Sequence, residues 1–463
     1  MIVAIAVGCT RETTPPPAGT DTPTPTMETT APTSTPTDEP APLDVPVALA
    51  LHPTIGSIVI ATWSQPVAAN AHVELMVDEG VWRTTPDREV AAGPQEQLLL
   101  GIPYDTPVDV RVAWDEGQVG SVSSITTGLM PGGFPTPTLA SSDPTAYWAD
   151  GTYLLGSINQ DEGGWTDGRY WMFVADRLGR IVWVYRGIDR DFTIYLHVST
   201  AGEILWDQST FWSEFDGGMG SKIHRMTIDG TEIETMDAPG MHHCFIEMPD
   251  GSIVWGAADG FDSERVMRLW PDDTVTTIWD CAPFYDSLGL NDWCHTNSIV
   301  YDESTDRLLL SFPTEETFVL EVDATTGDEI RWFGHIPGSW AFDSPTSAFQ
   351  YQHGVTWTDE GTLLMSSQLS PTNVDALVRE YTLDEGTETL TQIWSFGADD
   401  DIDAVNAGEA HRLPNGNTLH NTGTTPRVRE ITADDQVVWD LVWPGNRLLG
   451  RTVFVNDLYT LLP

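Results

Sequence analysis

One phrase recurs along the C-terminal part of the chain, a tight turn at Gly or Asp followed by a short apolar strand. Its copies are Gly251-Ser252-Ile253-Val254-Trp255, Asp306-Arg307-Leu308-Leu309-Leu310, Gly361-Thr362-Leu363-Leu364-Met365 and Gly416-Asn417-Thr418-Leu419-His420. The turn anchors at 251, 306, 361 and 416 are each 55 residues apart, and Gly151-Thr152-Tyr153-Leu154-Leu155 matches in wording though not in phase. A second phrase, a strand ending in Trp, closes most units at Trp183, Trp279, Trp332, Trp394 and Trp439, with Glu234-Thr235-Met236 as a sixth. Strand-rich repeats of this length cannot bury both faces alone, and radial packing solves that while protecting the sheet edges. Residues 136–463 are therefore expected to form a six-bladed β-propeller, with seven blades or a β-helix as the alternatives.

Ahead of the repeats, from Leu43 to about Gly128, short alternating strands such as 57–63, 71–77 and 108–114 are separated by turn residues. About 85 residues of this kind, with a Trp in an early strand, resemble a fibronectin-III or immunoglobulin-like sandwich over 44–130. The expected fold class is all-β.

The N-terminus reads differently. Met1 to Gly8 is a short apolar run that ends in Ala6-Val7-Gly8-Cys9 before a Pro/Thr-rich tract, the pattern of a bacterial lipobox. Residues 1–9 are expected to be a lipoprotein-type signal segment, with the start codon placed too late because the charged region is missing. Cys9 would carry lipid and 10–43 would be an extended stalk, making the protein an exported cell-envelope lipoprotein whose membrane contact is that lipid alone.

Charge removes whole classes of function. With 69 acidic against 21 basic residues the net charge is −48, which repels nucleic-acid phosphates and anionic membranes. Lys222 is the only lysine, and the residues before it lack P-loop glycine spacing. No two of the four cysteines have CxxC spacing, which excludes that redox chemistry. Cys281 and Cys294 bracket a twelve-residue loop and are expected to pair, leaving Cys244 as a buried thiol. The acidic run Asp399-Asp400-Asp401-Ile402-Asp403 lacks EF-hand spacing and reads as a solvated loop.

In a propeller the first strand of each blade lines the axis, so equivalent repeat positions converge. His243 and His353 each lie eight residues before a turn anchor, and His295 lies eleven before the longer turn at Asp306. In the fourth copy Gly408 takes the equivalent position, and His411 is expected to face elsewhere. Three converging imidazoles suit either a metal with an open fourth position or a nucleophile with cationic stabilisers around an anion.

The blocks Met241-His242-His243-Cys244-Phe245, Asp292-Trp293-Cys294-His295-Thr296-Asn297, Tyr351-Gln352-His353 and Gly408-Glu409-Ala410-His411-Arg412 resemble, in wording and order, signature blocks of the bacterial arylsulfate sulfotransferases. The similarity spans about 240–440. It implies an exported enzyme, a small β-sandwich ahead of a six-bladed propeller, that moves a sulfuryl group from a phenolic sulfate donor to a phenol acceptor without nucleotide, cofactor or metal. It makes His353 the nucleophile, His243 and His295 oxygen donors or acid/base groups, and Asn297 and Arg412 substrate contacts. One departure stands out. By alignment Pro313 occupies a position where the family carries an arginine, and Arg412, Arg427 and Arg429 are the candidates to replace it. Gly354 also stands where the family often has an acid. The alternative function is a non-catalytic propeller lipoprotein that binds an anion, glycan or protein.

Overall fold

The computed structural model describes residues 44–462 apart from 78–79, 116, 164–167, 215–216, 260–262, 291–293 and 314–316. Cys9, the signal segment, the Pro/Thr tract, and Asp292 and Trp293 lie outside the described residues.

Alternation builds the first unit. In strands Val59–Gln65, Ala69–Val77 and Pro107–Trp114, Val59, Ala61, Trp63, Ala71, Val73, Leu75, Val108, Val110, Val112 and Trp114 turn inward, and polar residues turn out. The period of two gives each strand one apolar face, and the two sheets share one core between those faces. This unit does not stand apart from the rest: Ile55, Ile58 and Leu100 share a core with Leu155, Val182 and Leu458. The Leu100 backbone N–H also donates to the Tyr459 hydroxyl at 3.1 Å.

Six sheets follow among the described residues, each built around four antiparallel strands, and Ala341–Phe342 adds to one of them in parallel. The recurring turn phrase is the hairpin between the first and second strands of four of them. Gly251, Asp306, Gly361 and Gly416 all take positive φ, at 81°, 54°, 76° and 87°, and glycine or aspartate tolerates that better than other residues. Three of these turns repeat the same bonds: Met248 N–H to Ser252 O at 2.8 Å, Thr358 to Thr362 at 2.9 Å and Leu413 to Asn417 at 2.8 Å.

The Trp-bearing strands are the fourth strands of their sheets, and four indoles reach across to the next sheet. Trp183 donates to Ile228 O at 2.7 Å, Trp279 to Glu329 Oε1 at 2.9 Å, Trp394 to Asp435 Oδ1 at 2.9 Å and Trp439 to Arg177 O at 2.9 Å. Trp332 instead bonds Pro337 O at 3.0 Å within its own unit. Each crossing indole buries apolar area and satisfies its polar edge in one step. The chain ends interlock as well. Leu449–Val455 completes the sheet of Tyr153–Asn159, and Thr138–Ser142 joins the last sheet through Val437–Val442.

Candidate active site

A cavity of about 340 Å³ is lined by residues of six sheets and the loops that enter them. Each sheet contributes: Tyr195, His243, Asn297, His353, Glu409 and Arg451 come from six different sheets or the loops entering them. Tyr195, Trp212, Val300, Val355 and Leu449 give it an apolar wall.

The structure brings His243, His295, His353 and Asn297 together on this cavity. His243 lies on Met241–Glu247, at a register break between Met241 and Phe245. His295 precedes Ser298–Asp302 and follows Cys294, which is joined by a disulfide to Cys281, with Cα atoms 6.4 Å apart. The bond ties the histidine's segment to helix Cys281–Leu288, whose first turn is capped by the Asp280 side chain on Ala282 N–H. Cys244 is the remaining buried thiol.

His243 Nε2 and His295 Nε2 are 2.6 Å apart. Two ring nitrogens at that separation share one proton, so one ring donates and the other accepts. Burial, and then the neighbouring imidazoles, hold both well below the ordinary histidine pKa.

His353 sits between two left-handed residues, Tyr351 at φ 46° and Gly354 at φ 55°, on a strand with register shifts on both sides. Conformations like these persist only where the surroundings over-determine them. Gln352 supplies the anchor: its side-chain amide donates to Ser311 Oγ, Phe312 O and Phe318 O at 3.2, 3.0 and 2.8 Å. Asn297 Nδ2 donates to Gln352 O at 2.8 Å, which ties the Asn297 loop to the His353 strand.

His353 Nδ1 lies 3.3 Å from Tyr351 O. A carbonyl only accepts, so Nδ1 carries the proton and Nε2 keeps its lone pair. Burial lowers this ring's pKa to about 4, against a small opposing effect of the carbonyl. The tautomer is thus set by backbone, without an acid at position 354.

Arg412 is not brought to the cavity. It is ion-paired with Glu380, donates to Gly416 O and Thr418 Oγ1 at 3.0 and 2.8 Å, and lies over the Trp394 ring. Arg427 is paired with Asp440 and Arg429 with Asp400, also off the cavity. Pro313 does line it, and brings no cationic side chain to it. The expectation that His411 faces elsewhere is corrected: it lines the cavity with its Nε2 2.9 Å from Glu409 Oε2. Burial alone would lower the His411 pKa, but the Glu409 charge and the hydrogen bond to Glu409 together outweigh it, and the net direction is upward. Glu409 and Arg451 complete this wall and were missed from sequence. Glu409 accepts from the Thr452 backbone N–H and hydroxyl, tying strand Glu409–Arg412 to Leu449–Val455.

A metal would find its best donor set in His242, His243 and His295, whose candidate ligand atoms lie within 4.8 Å of one another. His242 is backed by Glu264, with Nε2 to Oε2 at 3.1 Å. His353 is outside that group.

No curated protein matches the chain. Among solved structures, a Bacteroides caccae protein of unknown function aligns at TM-score 0.43 and 14% identity, over 63% of this chain and 94% of its own. A putative 6-phosphogluconolactonase from Bacteroides fragilis aligns at 0.40 and 14%, over 83% and 98%. Neither likeness is close enough to speak to function. Sequence kinship is sharper: over residues 285–443, the stretch that carries His295, Asn297, His353, Glu409 and His411, the chain matches the arylsulfotransferase (ASST) family model.

Proposed function

We propose that this protein is a six-bladed propeller enzyme of the arylsulfotransferase type, carried behind a fibronectin-III-like sandwich and exported on a lipid at Cys9. It moves a sulfuryl group from a phenolic sulfate ester to a phenol. His353 Nε2 attacks sulfur, the S–O bond to the phenol breaks, and the phenolate leaves with the electron pair. The acceptor phenol then attacks the sulfohistidine, the S–N bond breaks and returns the lone pair to Nε2, and the acceptor's proton passes to water, balancing the one that the released phenolate takes up. The His243–His295 pair, through the Nδ1–H of the ring that accepts at Nε2, and the Asn297 side chain meet the sulfuryl oxygens.

The observation that supports this most is the state of His353, a cavity-lining imidazole with Nδ1 on a carbonyl and its other nitrogen left as a lone pair. The apolar wall beside it suits an aromatic ring. Initial-rate kinetics with 4-nitrophenyl sulfate and phenol test the reading. Parallel double-reciprocal lines, with a burst of nitrophenolate from donor alone, are expected; intersecting lines without a burst would exclude a covalent intermediate.

The pH profile of that burst is distinctive. An imidazole attacks only when neutral, and His353 is neutral above its pKa of about 4. The burst rate should hold as pH falls past the ordinary histidine range and decline near pH 4, read by rapid quench. A decline near 6.5 would assign attack to a histidine of ordinary pKa.

A second reading is favoured by the clustering of His242, His243 and His295 with Glu264 behind them, an arrangement that also suits a transition metal. Chelator treatment separates the two. Sulfuryl transfer should survive it unchanged, whereas stoichiometric metal in the purified protein, lost together with activity, would favour the metal centre.

A further inference from the structure

An anionic ester entering a protein of net charge −48 needs a local cation. Of the cavity-lining residues, Arg451 alone carries a permanent positive charge. We infer that Arg451 grips the donor's sulfate oxygens, so that the C-terminal strand supplies the specificity of this site for sulfate esters over uncharged phenols. The inference rests on the sulfuryl-transfer reading for its ligand, and on geometry for its residue.

Three features prepare Arg451 for this role. Its backbone N–H donates to Ile194 O at 2.8 Å, which fixes where the side chain starts. The guanidinium carbon lies over the Tyr195 ring, 4.5 Å from its centroid, a cation–π contact that holds the head group at the cavity wall. Its nearest counter-charge is Glu409 Oε2 at 4.0 Å from Nε, too far for a hydrogen bond.

Glu409 itself is engaged by Thr452 and His411. Among the described residues no acceptor holds the terminal nitrogens of Arg451, in contrast to Arg412, whose fork is filled by Glu380, Gly416 and Thr418. A guanidinium with a free planar edge in a partly desolvated cavity matches two oxygens of a sulfate ester. Burial lowers the Arg451 pKa to about 10, which leaves it cationic at neutral pH.

Arg451 also stands close to the transfer chemistry. Glu409 is hydrogen-bonded to Thr452, the residue after Arg451. Glu409 approaches Gly354, the residue after His353, so closely that a Cβ added there would lie 2.5 Å from the Glu409 Cα. Glu409 thus approaches the strand of the nucleophile through its Cα and Cβ and the strand of the cation through its carboxylate.

Calorimetric titration of phenyl sulfate and of phenol into the His353→Ala protein, which holds the donor without consuming it, provides the test. Adding Arg451→Gln to that background should weaken phenyl sulfate binding by about 10- to 100-fold and leave phenol within about twofold. Arg451→Lys should fall between, since it keeps the charge and loses the fork. Equal losses for both ligands would mean a collapsed cavity, and equal retention an idle residue; either overturns the inference. Binding that depends on Arg451, with no adduct on His353 in the unmutated protein, would keep the grip and discard the transfer. Absence of phenyl sulfate binding in every variant would discard both.

Discussion

His353→Ala should leave a folded protein that takes up no sulfuryl group. Incubated briefly with 4-nitrophenyl sulfate, the unmutated chain is expected to gain about 80 Da by intact-mass spectrometry, and the variant to gain nothing. Nitrophenolate release should fall by at least about 1,000-fold, because no other cavity imidazole is equivalently placed. His243 and His295 commit their Nε2 atoms to each other at 2.6 Å. The His411 Nε2 is held by Glu409. Among the described residues, His353 is the cavity imidazole that has its Nδ1 on a carbonyl and its Nε2 in no hydrogen bond.

Folding should be little affected. The ring is partly exposed to the cavity and its one hydrogen bond, at 3.3 Å, is worth about 1 kcal/mol or less. His243→Gln is the informative companion. It removes an oxygen contact and not the nucleophile, so the adduct should still form, about 100-fold more slowly. An adduct of the same mass that persists in His353→Ala would move the nucleophile to another residue.

What the sequence disclosed and what it hid divide along physical lines. The turn anchors were legible because left-handed turns are local: the residue that tolerates positive φ stands at the turn itself. The Trp closures were legible because an apolar strand with one large aromatic is a local pattern too, although nothing in it said that the indoles bridge to the next sheet. His411 was misread for a reason that alternation explains. Glu409 and His411 are two apart on strand Glu409–Arg412, so both turn to the cavity while Arg412 turns to Glu380. A period of two counted from Glu409 would have found the histidine and rejected the arginine. Arg451 carried no such signal. Its strand pairs with Tyr153–Asn159, nearly 300 residues earlier in the chain, and belongs to no copy of the repeat phrase.

Gly354→Ala should cost both stability and activity, and it explains why no acid stands at this position. The glycine has φ 55°, and a Cβ added there would run into the Cβ of Glu409, lie 2.5 Å from the Glu409 Cα and 2.9 Å from Gly408 O. These are mostly backbone atoms of a neighbouring sheet, so no rotamer change relieves the clash; one strand has to move. The left-handed backbone and the overpacking together should cost roughly 2–4 kcal/mol, read as a lower denaturation midpoint. Displacement of His353 by even about 1 Å should slow the nitrophenolate burst on the order of 100-fold in the fraction that stays folded. Gly361→Ala is the matched control. It has φ 76° with nothing within 4 Å of the added carbon, so it pays for the backbone alone, about 1–2 kcal/mol, and should keep the burst rate. If Gly354→Ala matched Gly361→Ala in both midpoint and burst, the contact between the His353 strand and Glu409 would not be what fixes the nucleophile. If it lost the burst while Gly361→Ala kept it, the close approach that excludes a side chain at 354 would also be what aims Nε2 into the cavity.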